Sequence, residues 1–192
     1  SDTDGPVTFA ATSNNDSATV SANSQAQAGS YSFFVEQLAQ GQQTTFSMGD
    51  DAFSATGTFE LTMGDSTMDI DLSAADQNGD GDGFIDASEL VNAINDSDDN
   101  PGVSAALGKT DGTTTIMLTS DSTGAQSAFS VSVTGHDASN DSASAPVATD
   151  VSSAQDAIIH LGSATGPEIT NSSHTFDDVI PGVTMTITEV SD

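Results

Sequence analysis

Residues 78–95 read NGDGDGFIDASELVNAIN, and this stretch joins an acidic, glycine-rich loop to a helical pattern. In an EF-hand loop, oxygen ligands recur at alternate positions, glycine permits a sharp turn at the sixth, and a bidentate glutamate closes the site at the twelfth. Gly83 and Glu89 occupy those two positions. The spacing predicts one calcium ion, bound by Asn78, Asp80, Asp82, Phe84 through its backbone carbonyl, Asp86 and Glu89.

The same stretch predicts the start and end of a helix. Asp86 stands where an N-cap belongs, and Glu89 completes the spacing of a capping box. Leu90, Val91 and Ile94 would form one apolar face, and the helix should end between residues 96 and 101, because Pro101 cannot continue it.

Two features depart from a standard calcium loop. Asn78 replaces the usual first aspartate, and residues 68–72 alternate like a strand where an EF-hand has its first helix. The alternative interpretation is a solvated acidic turn. No second loop of this kind follows in the sequence, so the site would bind its ion without a paired partner.

The composition excludes several classes of partner. The chain has 192 residues, 29 acidic residues and one basic residue, Lys109, which gives a formal charge of −28. Nucleic acid, anionic membranes and phosphoryl-transfer chemistry all require several cationic groups, of which Lys109 alone is present. No apolar run is long enough to insert into a membrane. The thinly spread acidity suits a halophilic or marine protein, since salt screens self-repulsion.

Apolar alternation predicts a mainly β chain with a single short helix. Residues 59–63 and 68–72 should form a hairpin that turns at Gly64-Asp65, with Phe59, Leu61 and Met63 on one face and Met68, Ile70 and Leu72 on the next. Further strands are predicted at residues 7–11, 17–22, 30–38, 103–107, 114–119, 128–134, 157–161 and 183–187. Residues 37–45 and 135–156 are interpreted as connections.

The sequence favours a binding protein over an enzyme. His136, His160 and His174 lack metal-ligand spacing, so each is interpreted as a satisfied or exposed histidine. The serines lack a nucleophile-elbow context, and adjacent aspartates on turns are usually solvated.

Three segments together resemble the flagellar filament cap family, hook-associated protein 2. The first is ATVSANSQAQAGSYSFFVEQLAQ at residues 18–40. The second runs from LVNAIN at 90–95 through NPGV at 100–103 to LTSDSTG at 118–124. The third comprises AQDA at 154–157, SSHT at 172–175 and PGVTM at 181–185. The chain departs from the family at His174, where asparagine is usual, and in the acidic loop, for which the family gives no reason to expect calcium.

The resemblance implies two antiparallel β-domains, one inserted into the other. The discontinuous domain would comprise residues 1–45 and 137–192, and the inserted domain residues 46–136, which carry the calcium-type loop and helix. Such caps are extracellular homo-oligomers at the flagellum tip that confine exported flagellin beside other axial proteins, and some members also serve in adhesion. The alternative function is a calcium-stabilised extracellular adhesin module, which would share the acidic, cysteine-free, β-rich composition.

Overall fold

The computed structural model describes residues 18–47, 53–77, 83–135 and 148–192. These residues form two compact units, whose borders in the sequence lie at Gln40/Gly41 and at Gln155/Asp156. We call residues 41–155 the inserted unit and the flanking residues the discontinuous unit. No helix in the described ranges is both long and apolar enough to cross a membrane.

The chain begins in the discontinuous unit with β1 (Ala18–Ala22) and β2 (Phe33–Gln37). The inserted unit then contributes β3 (Gln43–Ser47), β4 (Phe53–Ser54), β5 (Thr58–Met63), β6 (Ser66–Asp71), α1 (Leu72–Ala75), β7 (Phe84–Ile85), α2 (Ala87–Asp96), β8 (Val103–Thr110), β9 (Thr113–Ser120), a 3₁₀ turn (Ala125–Ser127), β10 (Phe129–Thr134) and β11 (Ala148–Ser152). The discontinuous unit is completed by β12 (Ala157–Leu161), β13 (Glu168–Asn171), β14 (Thr175–Ile180) and β15 (Val183–Ile187).

The predicted hairpin is confirmed as β5 and β6, which pair antiparallel with Phe59 opposite Ile70 and Leu61 opposite Met68. Phe59, Leu61 and Met68 are fully buried, because alternation places all three on the core side of the sheet. The prediction differs at the end of the hairpin, where Leu72 begins the short helix α1. Strand β10 adds to the other side of β5.

The second sheet of the inserted unit has the order β11-β3-β9-β8. The interpretation of residues 37–45 and 135–156 as connections is wrong for β3 and β11, which pair with each other. Thr44 and Phe46 alternate toward the core of this sheet. The alternation was missed because one of the two buried side chains is polar, and so is Gln42 just before the strand.

Helix α2 packs its predicted apolar face, Leu90, Val91 and Ile94, into the core of the inserted unit. The helix ends at Asp96, as the sequence predicted. Sixteen buried apolar residues form this core among the residues described. The fold class, mainly antiparallel β with one helix longer than a single turn, is confirmed.

The discontinuous unit contains two three-stranded antiparallel sheets, of order β1-β15-β14 and β13-β12-β2. Its core is smaller and comprises Val35, Ala39, Ala157, Ile159, Phe176, Met185 and Ile187. Each sheet combines strands from before and after residues 41–155, which is why this unit is discontinuous in sequence.

The unit borders differ from the predicted domain borders at 45/46 and 136/137. The sheet pairing gives the reason, because β3 and β11 belong to the same sheet as β8 and β9. Both strands therefore lie in the inserted unit. The strand predicted at residues 7–11 lies outside the described residues.

Candidate functional site

The second half of the predicted calcium loop is held by backbone hydrogen bonds. Gly83 has φ +82°, in the left-handed region that favours glycine. Its carbonyl accepts a hydrogen bond from the N–H of Ala55 at 2.8 Å. Phe84 and Ile85 then pair with β4. Residues 83–85 are thus fixed by a two-residue ladder and one further backbone hydrogen bond within the inserted unit.

The predicted capping box is confirmed at the start of α2. Asp86 Oδ1 accepts from the Glu89 N–H at 2.9 Å and from the Ser88 hydroxyl at 2.6 Å. In return, Glu89 Oε2 accepts from the Asp86 N–H at 2.9 Å. The two carboxylates satisfy backbone donors that have no partner inside the helix.

Glu89 also reaches back across the loop. Its Oε1 accepts from the backbone N–H of Gln77 at 2.9 Å, and the residue is only 7% exposed. Glu89 therefore joins the residues before the loop to the helix after it.

The pKa of Asp86 lies below its usual range. Burial alone would raise it, but the hydrogen bonds donated by the Ser88 hydroxyl and by the Glu89 and Ser88 N–H groups outweigh that effect. Asp86 is consequently ionised near neutral pH, and its charge lies beside the positive end of the helix dipole.

The structure places three of the six predicted ligands, Phe84, Asp86 and Glu89, together at this junction. Asn78, Asp80 and Asp82 lie outside the described residues. Within the described ranges, no group of three or more His, Cys, Asp or Glu residues is placed so that it could hold a metal ion. The calcium site stays a prediction.

Two asparagines that follow the loop act as peptide mimics on the edge strand β8. Asn95 donates from Nδ2 to the Ala105 carbonyl at 2.9 Å and accepts the Ala105 N–H at 2.8 Å. Asn100 bonds the carbonyls of Ile94 and Val103 and accepts from the N–H groups of Gly102 and Val103. Both asparagines lie in the second of the three segments that resemble the cap family. Their hydrogen bonds fasten α2 and the turn that follows it to the sheet.

A third amide joins the two larger sheets of the inserted unit. Gln42 is 5% exposed; its Oε1 accepts the Phe129 N–H at 2.9 Å, and its Nε2 donates to the Phe129 carbonyl at 2.7 Å. Nε2 also donates to Thr44 Oγ1, which donates to the Asp150 carboxylate. Sequence reasoning missed this residue, because a glutamine in a polar run gives no signal of burial.

Comparisons with known proteins agree with this architecture. The family model described as flagellar hook-associated protein 2 N-terminus matches residues 2–42. A lateral flagellar hook-associated protein 2 from Vibrio parahaemolyticus is 41% identical over 177 residues, covering 89% of this chain and 39% of that protein. The chain thus spans well under half of this relative's length.

Solved structures show the same fold. The D2–D3 domains of the flagellar cap protein FliD from Escherichia coli match with a TM-score of 0.71 and 26% identity, over 94% of this chain and 93% of that one. FliD (HAP2) from Pseudomonas aeruginosa matches with a TM-score of 0.66 and 22% identity, over 93% and 81% of the respective chains. The second likeness shows the fold alone.

The fold and these similarities define the D2–D3 region of a flagellar cap protein, made here of two antiparallel β units of which one is inserted into the other in sequence. The chain belongs to the flagellar hook-associated protein 2 family, as a fragment that corresponds to the D2–D3 region.

Proposed function

We propose that the chain is the head of a filament cap, an extracellular homo-oligomer at the tip of the bacterial flagellum that confines exported flagellin while it folds and assembles. The observation that carries this proposal is the match over 94% of the chain to the D2–D3 domains of a flagellar cap protein. The proposed mechanism is binding and steric confinement, in which no covalent bond is made or broken.

The test uses the full-length protein that contains this chain, expressed in cells that lack their own cap gene. We expect filaments to be restored, because flagellin that leaks from uncapped filaments would again be retained. Electron microscopy and the amount of flagellin in the medium measure the effect. Normal export of the protein without any recovery of filaments would contradict the proposal.

The same strain separates the cap from the adhesin alternative. A cap whose residues 41–155 are replaced by a short linker serves as the second variant. If the chain acts in surface adhesion, filaments should form normally with this variant while attachment of cells to surfaces falls. If the inserted unit is needed for confinement, filaments themselves should be lost.

We also propose that the loop binds one calcium ion through Asn78, Asp80, Asp82, the Phe84 carbonyl, Asp86 and Glu89. The proposal rests on the EF-hand spacing, with support from Gly83 in the left-handed region and from Glu89 facing back to Gln77. An ion bound only by the folded state stabilises it by about 2.7 kcal/mol at a hundredfold excess over Kd. Thermal melts in calcium and in chelator should therefore differ.

Glu89 is unsuitable as the test position, because its two oxygens hold the N–H groups of Gln77 and Asp86 whether or not an ion is bound. Asp80→Ala should remove the calcium-dependent shift in melting temperature. Asp98→Ala, which removes an exposed carboxylate beyond α2, is the matched control and should keep the shift. Equal melts in both buffers for the unaltered chain would end the calcium hypothesis.

A further inference from the structure

His160 on β12 is buried between two hydrogen-bond acceptors. It is 7% exposed, its Nδ1 lies 2.9 Å from the Gly166 carbonyl oxygen, and its Nε2 is hydrogen-bonded to the Glu36 carboxylate. A carbonyl oxygen can only accept, and so can an ionised carboxylate. Glu36 has a side chain that is 51% exposed. Opposite a carbonyl oxygen and an ionised carboxylate, both ring nitrogens can donate only in the imidazolium form.

This ring connects three parts of one sheet. His160 lies opposite Phe34 of β2 and opposite Glu168 of β13 in the strand registers. Glu36 belongs to β2, and Gly166 belongs to the turn between β12 and β13. One doubly protonated side chain thus fastens β2 and that turn to the central strand.

In its sequence, the discontinuous unit has two basic side chains, His160 and His174. The sole Lys of the sequence is Lys109, which lies in the inserted unit, and there is no arginine. The charged groups that act on His160 among the described residues are Glu36 from β2 and Glu168 from β13, both acidic. The turn of residues 162–167 contributes no charged side chain.

We propose that His160 is a pH-dependent lock for the sheet β13-β12-β2 of the discontinuous unit. With two protons the ring holds both Glu36 and the Gly166 carbonyl. With one proton it can donate to only one of them, so either the turn or β2 loses its side-chain hydrogen bond to β12 and keeps only the backbone pairing. The device loosens this sheet as the pH rises and leaves the inserted unit unaffected.

The direction of the effect follows from the ring's surroundings. The hydrogen bond to the Gly166 carbonyl, then the one to Glu36, and then the charges of Glu36 and Glu168 raise the pKa of His160, against the opposing effect of burial. A group whose pKa is raised on folding stabilises the folded state fully below its unfolded value, about 6.5 for histidine. That stabilisation is lost as the pH rises through the higher folded-state value.

His174 lies in the same unit, with its Nε2 2.8 Å from the Ala39 carbonyl oxygen, so its signals must be told apart from those of His160. Imidazole ¹⁵N shifts of the whole chain, assigned with His160→Gln and His174→Gln variants, report how many protons the His160 ring carries. We expect His160 to keep two protons at pH values above the ordinary histidine pKa of about 6.5. A His160 ring that titrates at or below that ordinary value would overturn the proposal.

A second measurement separates a lock from a histidine that is merely buried. Glu36→Gln removes the facing charge at a half-exposed position, and Glu189→Gln removes an exposed carboxylate of the same unit as the control. Glu36→Gln should shift the titration midpoint of His160 downward. It should also shift downward the pH at which hydrogen exchange of the Leu161, Gly162 and Gly166 amides accelerates beyond its intrinsic pH dependence. If Glu36→Gln changes neither property more than Glu189→Gln does, the lock does not exist.

Discussion

The two units satisfy their buried polar groups with different chemistry. The inserted unit has a core of sixteen buried apolar residues, and neutral amides of Gln42, Asn95 and Asn100 tie its elements together. The discontinuous unit has a core of seven buried apolar residues and relies on an ionisable pair, His160 and Glu36. An amide donates and accepts at any ordinary pH, whereas an imidazole loses a donor near neutrality. We therefore expect the discontinuous unit, unlike the inserted unit, to lose stability as the pH rises through the neutral range.

Among the substitutions that test this difference between the units, we expect the largest loss of stability at Gln42. Gln42→Ala leaves the N–H and carbonyl of Phe129 without their partner in a buried place, at a cost of about 3 kcal/mol. Gln42→Glu is the more specific test, because the new carboxylate cannot donate to the Phe129 carbonyl and would lie near the Asp150 carboxylate. Burial and this neighbour would raise the pKa of the new side chain above about 4.3, its ordinary value.

The stability of Gln42→Glu should therefore be nearest to that of the unaltered chain in acid and fall as the pH rises through the raised pKa. The inserted unit would then lose stability with rising pH, as we expect of the discontinuous unit. Denaturant unfolding followed by hydrogen exchange, peptide by peptide, measures each unit separately. Gln43→Glu, one residue along at a half-buried position, is the control. If Gln42→Glu lowers the free energy of unfolding no more than Gln43→Glu does, the amide link between the two sheets is unimportant.

The elements that could be predicted from the sequence are those whose signals are local. The β5–β6 hairpin and helix α2 follow from apolar periodicity and the capping box, signals that lie within a few residues of each other. Strands β3 and β11 were not predicted, because Thr44 is buried through its hydrogen bond to Asp150, more than a hundred residues away. Such pairing has no local pattern. Burial of polar side chains depends on partners that only the folded chain brings together.

The candidate site divides in the same way. Asp86 and Glu89 were predicted as cap and ligand from spacing alone, and the capping role is confirmed. The bond from Gln77 to Glu89, and the pairing of Phe84 and Ile85 with β4, link residues that spacing could not connect. Likewise, the interpretation of His160 as a satisfied histidine agrees with its two contacts, but its charge could not be predicted without knowing that both contacts are acceptors.

A smaller effect is expected at Asn95, where the amide covers an edge strand instead of joining two sheets. Asn95→Ala should lower the free energy of unfolding by about 1–2 kcal/mol, because water can reach the Ala105 backbone once the amide is gone. The matched control is Asn92→Ala, an exposed position on the same helix, which should stabilise slightly through helix propensity. If Asn95→Ala costs as much as Gln42→Ala, burial does not explain the difference between the two amides.

The smallest effect concerns charges that repel. Glu60 lies directly opposite Asp69 on the outer face of the β5–β6 hairpin, whereas the discontinuous unit places Glu36 against a cationic ring. Directly opposed like charges destabilise a strand pair by about 0.2–1 kcal/mol. Asp69→Asn should therefore stabilise the inserted unit by a few tenths of a kcal/mol more than Asp98→Asn, which removes one charge without removing an opposed pair. Because the screening length falls from about 30 Å at 0.01 M salt to about 3 Å at 1 M, this advantage should shrink as salt is added.

A double-mutant cycle of Glu60→Gln and Asp69→Asn, measured at both salt concentrations, isolates the pair from the general charge of the chain. A coupling near zero in dilute salt would mean that these carboxylates repel no more than any two acids on the surface, and the contrast between the units would then rest on hydrogen bonding alone.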